Sequence, residues 1–253
     1  MIISVKKLPA LAILMGLLFF PAGLLAAPFS PGEKIDFVVS WMGIPAGTTT
    51  MSVIEKKEDN PQKALTLSLE TRSNKFMSSF YKVRNKIESL IDSEDFSAIN
   101  FTARLQQGRR KKTKDIFFDG DNNKLTFIKN GKKGVHDVPQ KTFDSLSSFY
   151  YLRTKELISG EDIKINTFSN GKLYNVTVKI LEKEKIKVKA GTFDTIKVQP
   201  LIKRNDVFLN KGDIFIWLTD DEEKIPVLIK TEVKIGHIVA ELTNLQRGGK
   251  DGS

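Results

Sequence analysis

Acid–base chemistry near neutral pH needs an imidazole or a tuned carboxylate, and this chain has only two histidines. His136 ends the run Gly131-Lys132-Lys133-Gly134-Val135-His136, which reads as a turn region, and His237 directly follows Gly236 in a hairpin pattern. Both positions favour a surface turn residue over a general base. No serine occupies a Gly-x-Ser-x-Gly elbow, no His-x-x-x-His pair offers zinc ligands, and no Gly-rich phosphate loop is present. The sequence therefore assigns no catalytic residue, no metal and no cofactor, and an enzymatic role is the less favoured reading.

Three other groups of side chains could carry a function. Asp220-Asp221-Glu222-Glu223 could hold calcium or an acid pair, but it joins two strong strand patterns and lacks the spaced oxygen ligands of a calcium loop. A solvated hairpin turn is the favoured reading. Arg109, Arg110, Lys111 and Lys112, with Lys114 after them, follow Gly108 at what reads as another hairpin tip. Five cations there suit an anionic surface, at about 1 kcal/mol each beside an anionic membrane, although a solvated loop gives the same sequence. The aromatic set Trp41, Phe149, Tyr150, Tyr151 and Trp217, with Arg153 one turn beyond Phe149 and Tyr150, offers an apolar pocket with a cationic tip. The competing reading is ordinary core, where aromatic side chains are common.

The elements that must position these groups begin with an export signal. Lys6 and Lys7 precede an apolar run from Leu8 to Phe20, Pro21 breaks it, and small residues follow at Ala22, Gly23, Ala26 and Ala27. That is the pattern of a secretory signal peptide over residues 1–26, cleaved near Ala26, with an uncleaved anchor as the alternative. Removing Lys6 and Lys7 lowers the formal net charge from +10 to +8. Cysteine is absent, which removes a lipobox and disulfides and favours a periplasmic location. Positive charge in that compartment points to phospholipid headgroups, lipopolysaccharide phosphates or acidic glycans; nucleic acid is excluded by location.

Period-two alternation dominates the remainder. Ile35, Phe37, Val39 and Trp41 share one strand face; Leu65, Leu67 and Leu69 share another. Tyr174, Val176, Val178 and Ile180 form a third, and Thr231, Val233 and Ile235 a fourth. Ile214–Leu218 is apolar on both faces, as a covered strand requires. Gly43, Pro45-Ala46-Gly47, Asp59-Asn60-Pro61, Asn130-Gly131, Ser169-Asn170-Gly171 and Gly236 punctuate the strands. One stretch departs from this rhythm: Phe143, Leu146, Phe149, Tyr150 and Arg153 recur at helical spacing, with Thr142 or Asp144 as cap and Gly160 after the end. The pattern predicts a mainly β protein, residues 27–253 forming one antiparallel curved sheet or partly open β-barrel. Its one principal helix, about 143–157, lies across the concave face or at the barrel mouth. A two-domain split around that helix is the alternative.

Several segments, in order, resemble the domain-of-unknown-function 3108 family of exported bacterial proteins. They are Pro31-Gly32-Glu33-Lys34 with Trp41, Gly43-Ile44-Pro45-Ala46-Gly47, and Asp144-Ser145-Leu146-Ser147-Ser148-Phe149-Tyr150-Tyr151-Leu152-Arg153. Ala190-Gly191-Thr192-Phe193, Ile216-Trp217-Leu218-Thr219-Asp220-Asp221 and Ile225-Pro226-Val227 complete the set. The resemblance implies export and a β-rich fold, and brings no catalytic residues. The expected function is a non-catalytic envelope protein binding an apolar or amphiphilic ligand, lipid or lipopolysaccharide-like, with peripheral membrane contact. In that reading Phe149, Tyr150 and Tyr151 line a cavity closed by Trp41 or Trp217. The alternative is a structural or interaction module with a protein or glycan partner. An integral outer-membrane barrel is disfavoured, because charged residues occupy the outward positions of several strands.

Overall fold

Asn-Gly pairs turn the chain as their chemistry requires. Asn130 and Gly131 have φ of 49° and 82°, Asn170 and Gly171 have 53° and 79°, and each pair closes a two-residue hairpin that needs two positive φ values. The computed structural model describes residues 27–55, 64–204, 207–208, 213–233 and 235–249. The signal segment and the Asp59-Asn60-Pro61 turn lie outside the described residues.

The first strands are β1 (Lys34–Trp41), β2 (Ile44–Glu55) and β3 (Ala64–Ser73). Helix α1 (Lys75–Phe80) links β3 to β4 (Val83–Asp92). Next come β5 (Ala98–Gln107), β6 (Arg110–Asp119), β7 (Lys124–Lys129), β8 (Lys132–Asp137) and the short β9 (Thr142–Phe143). Helix α2 (Ser145–Arg153) precedes β10 (Asp162–Ser169), β11 (Lys172–Val188), β12 (Gly191–Arg204) and β13 (Val207–Phe208). The chain continues through β14 (Ile214–Thr219), β15 (Pro226–Glu232) and β16 (His237–Gln246). All belong to one sheet in the order β8-β7-β6-β5-β4-β3-β2-β1-β16-β15-β14-β12-β11-β10-β9, with β13 pairing β12. Neighbours are antiparallel except β9 and β10. This is the mainly β, open sheet that the alternation predicts.

The sheet is open but strongly curled. Helix α2 packs on β3 and β4 on one side and on β9 and β10 on the other, although these strands are far apart in the sheet order. Phe127 of β7 meets Phe168 of β10 edge-to-face at 5.6 Å, and His136 of β8 lies 5.0 Å from the same ring. The two lateral edges therefore approach through side chains, with no ladder between β8 and β9. The result is a barrel with an unpaired seam.

Burial follows the alternation. Ile35, Phe37, Leu67 and Ile91 join Leu146 and Tyr150 of α2 in one cluster, and Leu152 joins Ile165, Val178, Ile196 and Leu218 in a second. Phe149 packs against both, so α2 is the shared wall of the two halves. A third cluster, Phe101, Ala103, Ile116, Leu125, Phe127 and Phe168, lies under the seam.

The structure corrects several local expectations. Helix α2 ends at Arg153 rather than near 157, because Thr154 caps it and Gly160, at φ 91°, serves a later turn. His136 belongs to β8 rather than a turn. Pro45, Ala46 and Gly47 lie inside β2, where Gly47 allows close approach to β3: a Cβ there would meet the Arg72 carbonyl. Val233 and Ile235 are exposed in the β15–β16 turn rather than facing a strand core. Only Gly108 and Arg109 form the β5–β6 tip, and Arg110, Lys111, Lys112 and Lys114 are strand residues of β6.

Candidate functional site

Helix α2 is fixed at both ends by buried polar groups. At its N-terminus the Asp144 carboxylate accepts from the Leu146 and Ser147 backbone N–H groups (2.7 and 3.0 Å), while the Ser147 hydroxyl receives the Asp144 N–H at 3.0 Å. This reciprocal arrangement, a capping box with one further bond, satisfies three backbone donors at the helix start. Ser89 of β4 and the Ser147 hydroxyl both donate to the second carboxylate oxygen, at 2.6 and 2.7 Å, tying the cap to the sheet. Burial pushes the Asp144 carboxyl up, against the pull of these hydrogen bonds.

At the C-terminus Arg153, fully buried, donates from Nη1 and Nη2 to the two oxygens of Glu33 at 2.8 and 2.7 Å. Its remaining donors reach the carbonyls of Glu223 and Pro28. The guanidinium also lies 5.3 Å from the Phe29 ring centroid and 5.1 Å from that of Tyr150. Burial pulls its pKa down, but hydrogen bonding to and attraction by Glu33 outweigh this and raise it.

The six aromatic and cationic residues singled out in the sequence do not share one cavity wall. Tyr150 is wholly buried between Phe29 and Phe149, with centroid distances of 4.9 and 6.0 Å. Tyr151 stacks on Phe143 at 4.4 Å under the Lys155 ammonium. Trp217 alternates with the core residues Ile216 and Leu218 and so faces the other side of the sheet, where its Nε1 donates to Glu184 at 2.6 Å. Trp41 stands at the far end of β1 from Glu33, and its Nε1 donates to the Ile235 carbonyl at 2.9 Å. Phe149 and Arg153 complete the helix face as described above.

A different constellation lies at the seam. Ile87, Phe101, Ala103, Ile116, Phe127 and Phe168 line a hollow of about 60 Å³. Lys114, Ser145, Ser169 and Asn170 form its polar lip. The Lys114 ammonium donates to Asn170 Oδ1 at 2.6 Å and so bridges the two sides of the seam. Lys114 pairs in register with Lys129 of β7, and Lys129 with Lys132 of β8. Alternation puts Lys114 and Lys129 on the inner face, because Ile116 and Phe127, two residues away, are buried, and pairing with Lys129 adds Lys132; Lys129 and Lys132 are exposed toward the strand ends. Lys112 and Arg110 continue this face toward the tip. Like charges directly opposite one another across strands repel. Burial first, then Lys129 and Lys112, pulls the Lys114 pKa down. Among the described residues no ion pair relieves this lysine row, so an anion placed there would gain from all three charges.

The family model for a protein of unknown function, DUF3108, matches residues 36–243. The chain belongs to that family. Within and beside the matched range, Glu33 holds Arg153, Asp144 caps the helix, and Gly47 seats β2 on β3. Thr219 and Asp221 close the turn that presents the Glu223 carbonyl, with Thr219 donating to Asp221 at 2.7 Å. No curated protein matches the DUF3108 chain in sequence.

Among solved structures it resembles a β-barrel-like protein of domain of unknown function DUF1849 from Brucella abortus. The TM-score is 0.57 at 10% identity, over 87% of this chain and 98% of that one. A candidate exported protein with a YmcC-like fold from Bacteroides fragilis matches with a TM-score of 0.37 at 10% identity, covering 87% and 98% of the two chains. A candidate lipoprotein from Parabacteroides distasonis matches with a TM-score of 0.37 at 12% identity, covering 87% and 99%. The first of these likenesses shows the fold.

Sequence reading found Lys114 but missed Lys129, Lys132 and Asn170. Only the strand register brings these lysines level, and 15 and three residues separate them along the chain.

Proposed function

We propose that this DUF3108 protein is a non-catalytic envelope protein that binds an anionic amphiphile at the seam of its open barrel. The observation that carries the reading is the inner-face row Lys114, Lys129 and Lys132 beside an apolar hollow. A phosphate or carboxylate headgroup relieves the repulsion within the row, and an acyl chain end enters among Phe101, Phe127 and Phe168. A hollow of about 60 Å³ takes the end of a chain and not its length. Accommodation of more requires the Lys114–Asn170 bridge to open, and the unpaired seam permits that movement without breaking a strand ladder.

Asp144, Ser89, Ser147, Arg153 and Glu33 are all engaged in seating α2. Export is part of this reading and rests on the pattern of Lys6 to Ala27.

The test is native mass spectrometry of protein purified from its own cell envelope in parallel with Lys114→Gln/Lys129→Gln. A phosphate- or carboxylate-bearing lipid is expected on the native protein and depleted from the variant. Native protein that emerges free of amphiphile, and that takes up none when offered lysophosphatidylglycerol, contradicts the reading.

A further inference from the structure

Most of the large apolar residues that the fold leaves in solvent stand at one end of the strands; Ile54, Phe117, Val135 and Ile158 are exposed elsewhere. Register places the β1–β2 turn, the β15–β16 turn, α1 and the β5–β6 tip side by side there. The Met42 N–H donates to the His237 carbonyl at 3.0 Å, Asn74 donates to the carbonyls of Ala46 and Pro45, and the Gly108 N–H donates to the Lys82 carbonyl at 2.8 Å. Along this rim stand Met42, Ile44, Phe76, Phe80, Tyr81 and Ile235, each about half exposed or more, with Phe80 at 76% and Ile235 at 71%.

Helix α1 buries none of its residues, yet it is firmly held. Asn74 caps it by accepting from Met77 N–H at 2.8 Å. The Ser73 hydroxyl receives the Val83 N–H at 2.9 Å and contacts the Ser78 hydroxyl at 2.7 Å. Phe76 and Phe80, one turn apart, meet edge-to-face at 5.5 Å and project together. A capped helix that presents two exposed phenyl rings loses burial it could otherwise gain, which marks a contact surface rather than core.

Charge identifies the partner. From Thr71 to Ile87 there are five basic and no acidic residues, and from Phe96 to Lys114 six basic and no acidic residues. Lys75, Lys82, Arg84, Arg109, Arg110 and Lys111 are exposed around the phenyl rings, and none is in an ion pair among the described residues. The opposite ends of the strands carry acidic turns, including Glu94, Asp95, Asp121, Asp220, Asp221 and Glu222. The rim thus carries a net positive charge, with Asp213 and Glu232 also exposed at it, and the acidic turns lie at the opposite ends.

From this we infer that the rim is a docking surface for a bilayer containing anionic phospholipid. Phe76, Phe80 and the apolar turn tips enter the headgroup region, and the surrounding lysines and arginines meet lipid phosphates. Aromatic rings with basic neighbours are the combination that lies in a membrane interface, and an anionic surface orients the molecule by repelling its acidic end. The strands then stand upright on the membrane. This inference rests on surface residues distinct from the lysine row of the seam, and either can fail alone.

The experiment is co-sedimentation of the full mature chain with phosphatidylcholine vesicles and with vesicles containing phosphatidylglycerol at one lipid in three. Three variants are compared: Phe76→Ser/Phe80→Ser, Lys75→Glu/Arg109→Glu, and Lys114→Gln/Lys129→Gln. All six positions except Lys114 are exposed, and circular dichroism with a melting curve checks each fold. Native protein should bind the anionic vesicles at least tenfold more tightly than the neutral ones, with binding weakened by 0.5 M salt. The first two variants should each lose at least tenfold, while the seam variant stays within threefold of native. Failure of native protein to bind anionic vesicles, or unchanged binding by both rim variants, overturns the inference. Sedimentation velocity on the same samples covers self-association. A dimer that dissociates in Phe76→Ser/Phe80→Ser without any vesicle binding assigns the rim to a second copy and likewise overturns it.

Discussion

Arg153 and Glu33 meet through two hydrogen bonds of 2.8 and 2.7 Å across 120 residues of sequence, both side chains nearly or wholly excluded from solvent. The pair joins the C-terminus of α2 to the segment leading into β1, and so fixes the helix that separates the two large core clusters. A buried pair of this kind is worth little against an apolar replacement, but removing one partner strands a charge in the core. Arg153→Met and Glu33→Gln should each lower stability by about 3–5 kcal/mol, and the double variant should lose much less than their sum. Urea unfolding of the four proteins measures this. Additivity of the two single effects would show that the contact does not couple the residues.

Asp144 serves as both helix cap and anchor for Ser89. Asp144→Ala removes a cap worth about 1–2 kcal/mol and leaves buried hydroxyls unpaired at about 1–3 kcal/mol. A total loss of about 2–5 kcal/mol is expected, with Ser89→Ala costing a smaller part of it. Thermal melts of the two variants and of their combination test this, and an Asp144→Ala melt within a degree or two of native contradicts the assigned role.

The acid limb of stability should contain a contribution from Asp36 near the start of β1. Burial pushes its carboxyl up, but hydrogen bonds from Thr50 (2.7 Å) and Asn244 (3.3 Å), with Lys34 nearby, outweigh this and hold it below the ordinary 3.8. A carboxyl lowered on folding stabilises the native state above its unfolded pKa, and that contribution is lost as pH falls through the folded value. Native protein should exceed Asp36→Asn by about 0.5–1 kcal/mol at pH 7, and the gap should close between roughly pH 4 and pH 2. Urea midpoints across that range give the result; a gap that widens on acidification reverses the sign.

Much of this architecture was legible from residue order, because each device involved is local. Period-two alternation marked β1, β3 and β11, and the Asn-Gly pairs set two hairpins. The spacing of Phe143 to Arg153 located α2, while its extra residues at the C-terminal end reflect a pattern that continued past the Thr154 cap. Helix α1 was not legible: Lys75 to Phe80 is a single short run with Phe76, Met77 and Phe80 as its apolar residues, and the two rings face solvent instead of a core. Gly47 read as a turn residue because a close backbone approach and a turn both call for glycine. The lysine row and the Arg153–Glu33 pair depend on register and on packing between distant segments. Alternation specifies which face a residue takes, but not which residue of another strand stands level with it.

The lysine row at the seam carries the central claim, and equilibrium binding of a soluble anionic amphiphile tests it most directly. Dihexanoyl phosphatidylglycerol, kept below its micelle concentration, is titrated by calorimetry into native protein and into Lys114→Gln/Lys129→Gln, with dihexanoyl phosphatidylcholine as the uncharged comparison. The account predicts saturable one-site binding of the anionic lipid, at least tenfold weaker binding in the variant, and little affinity for the zwitterionic lipid in either. Absence of binding to native protein, or equal binding to native and variant, contradicts it.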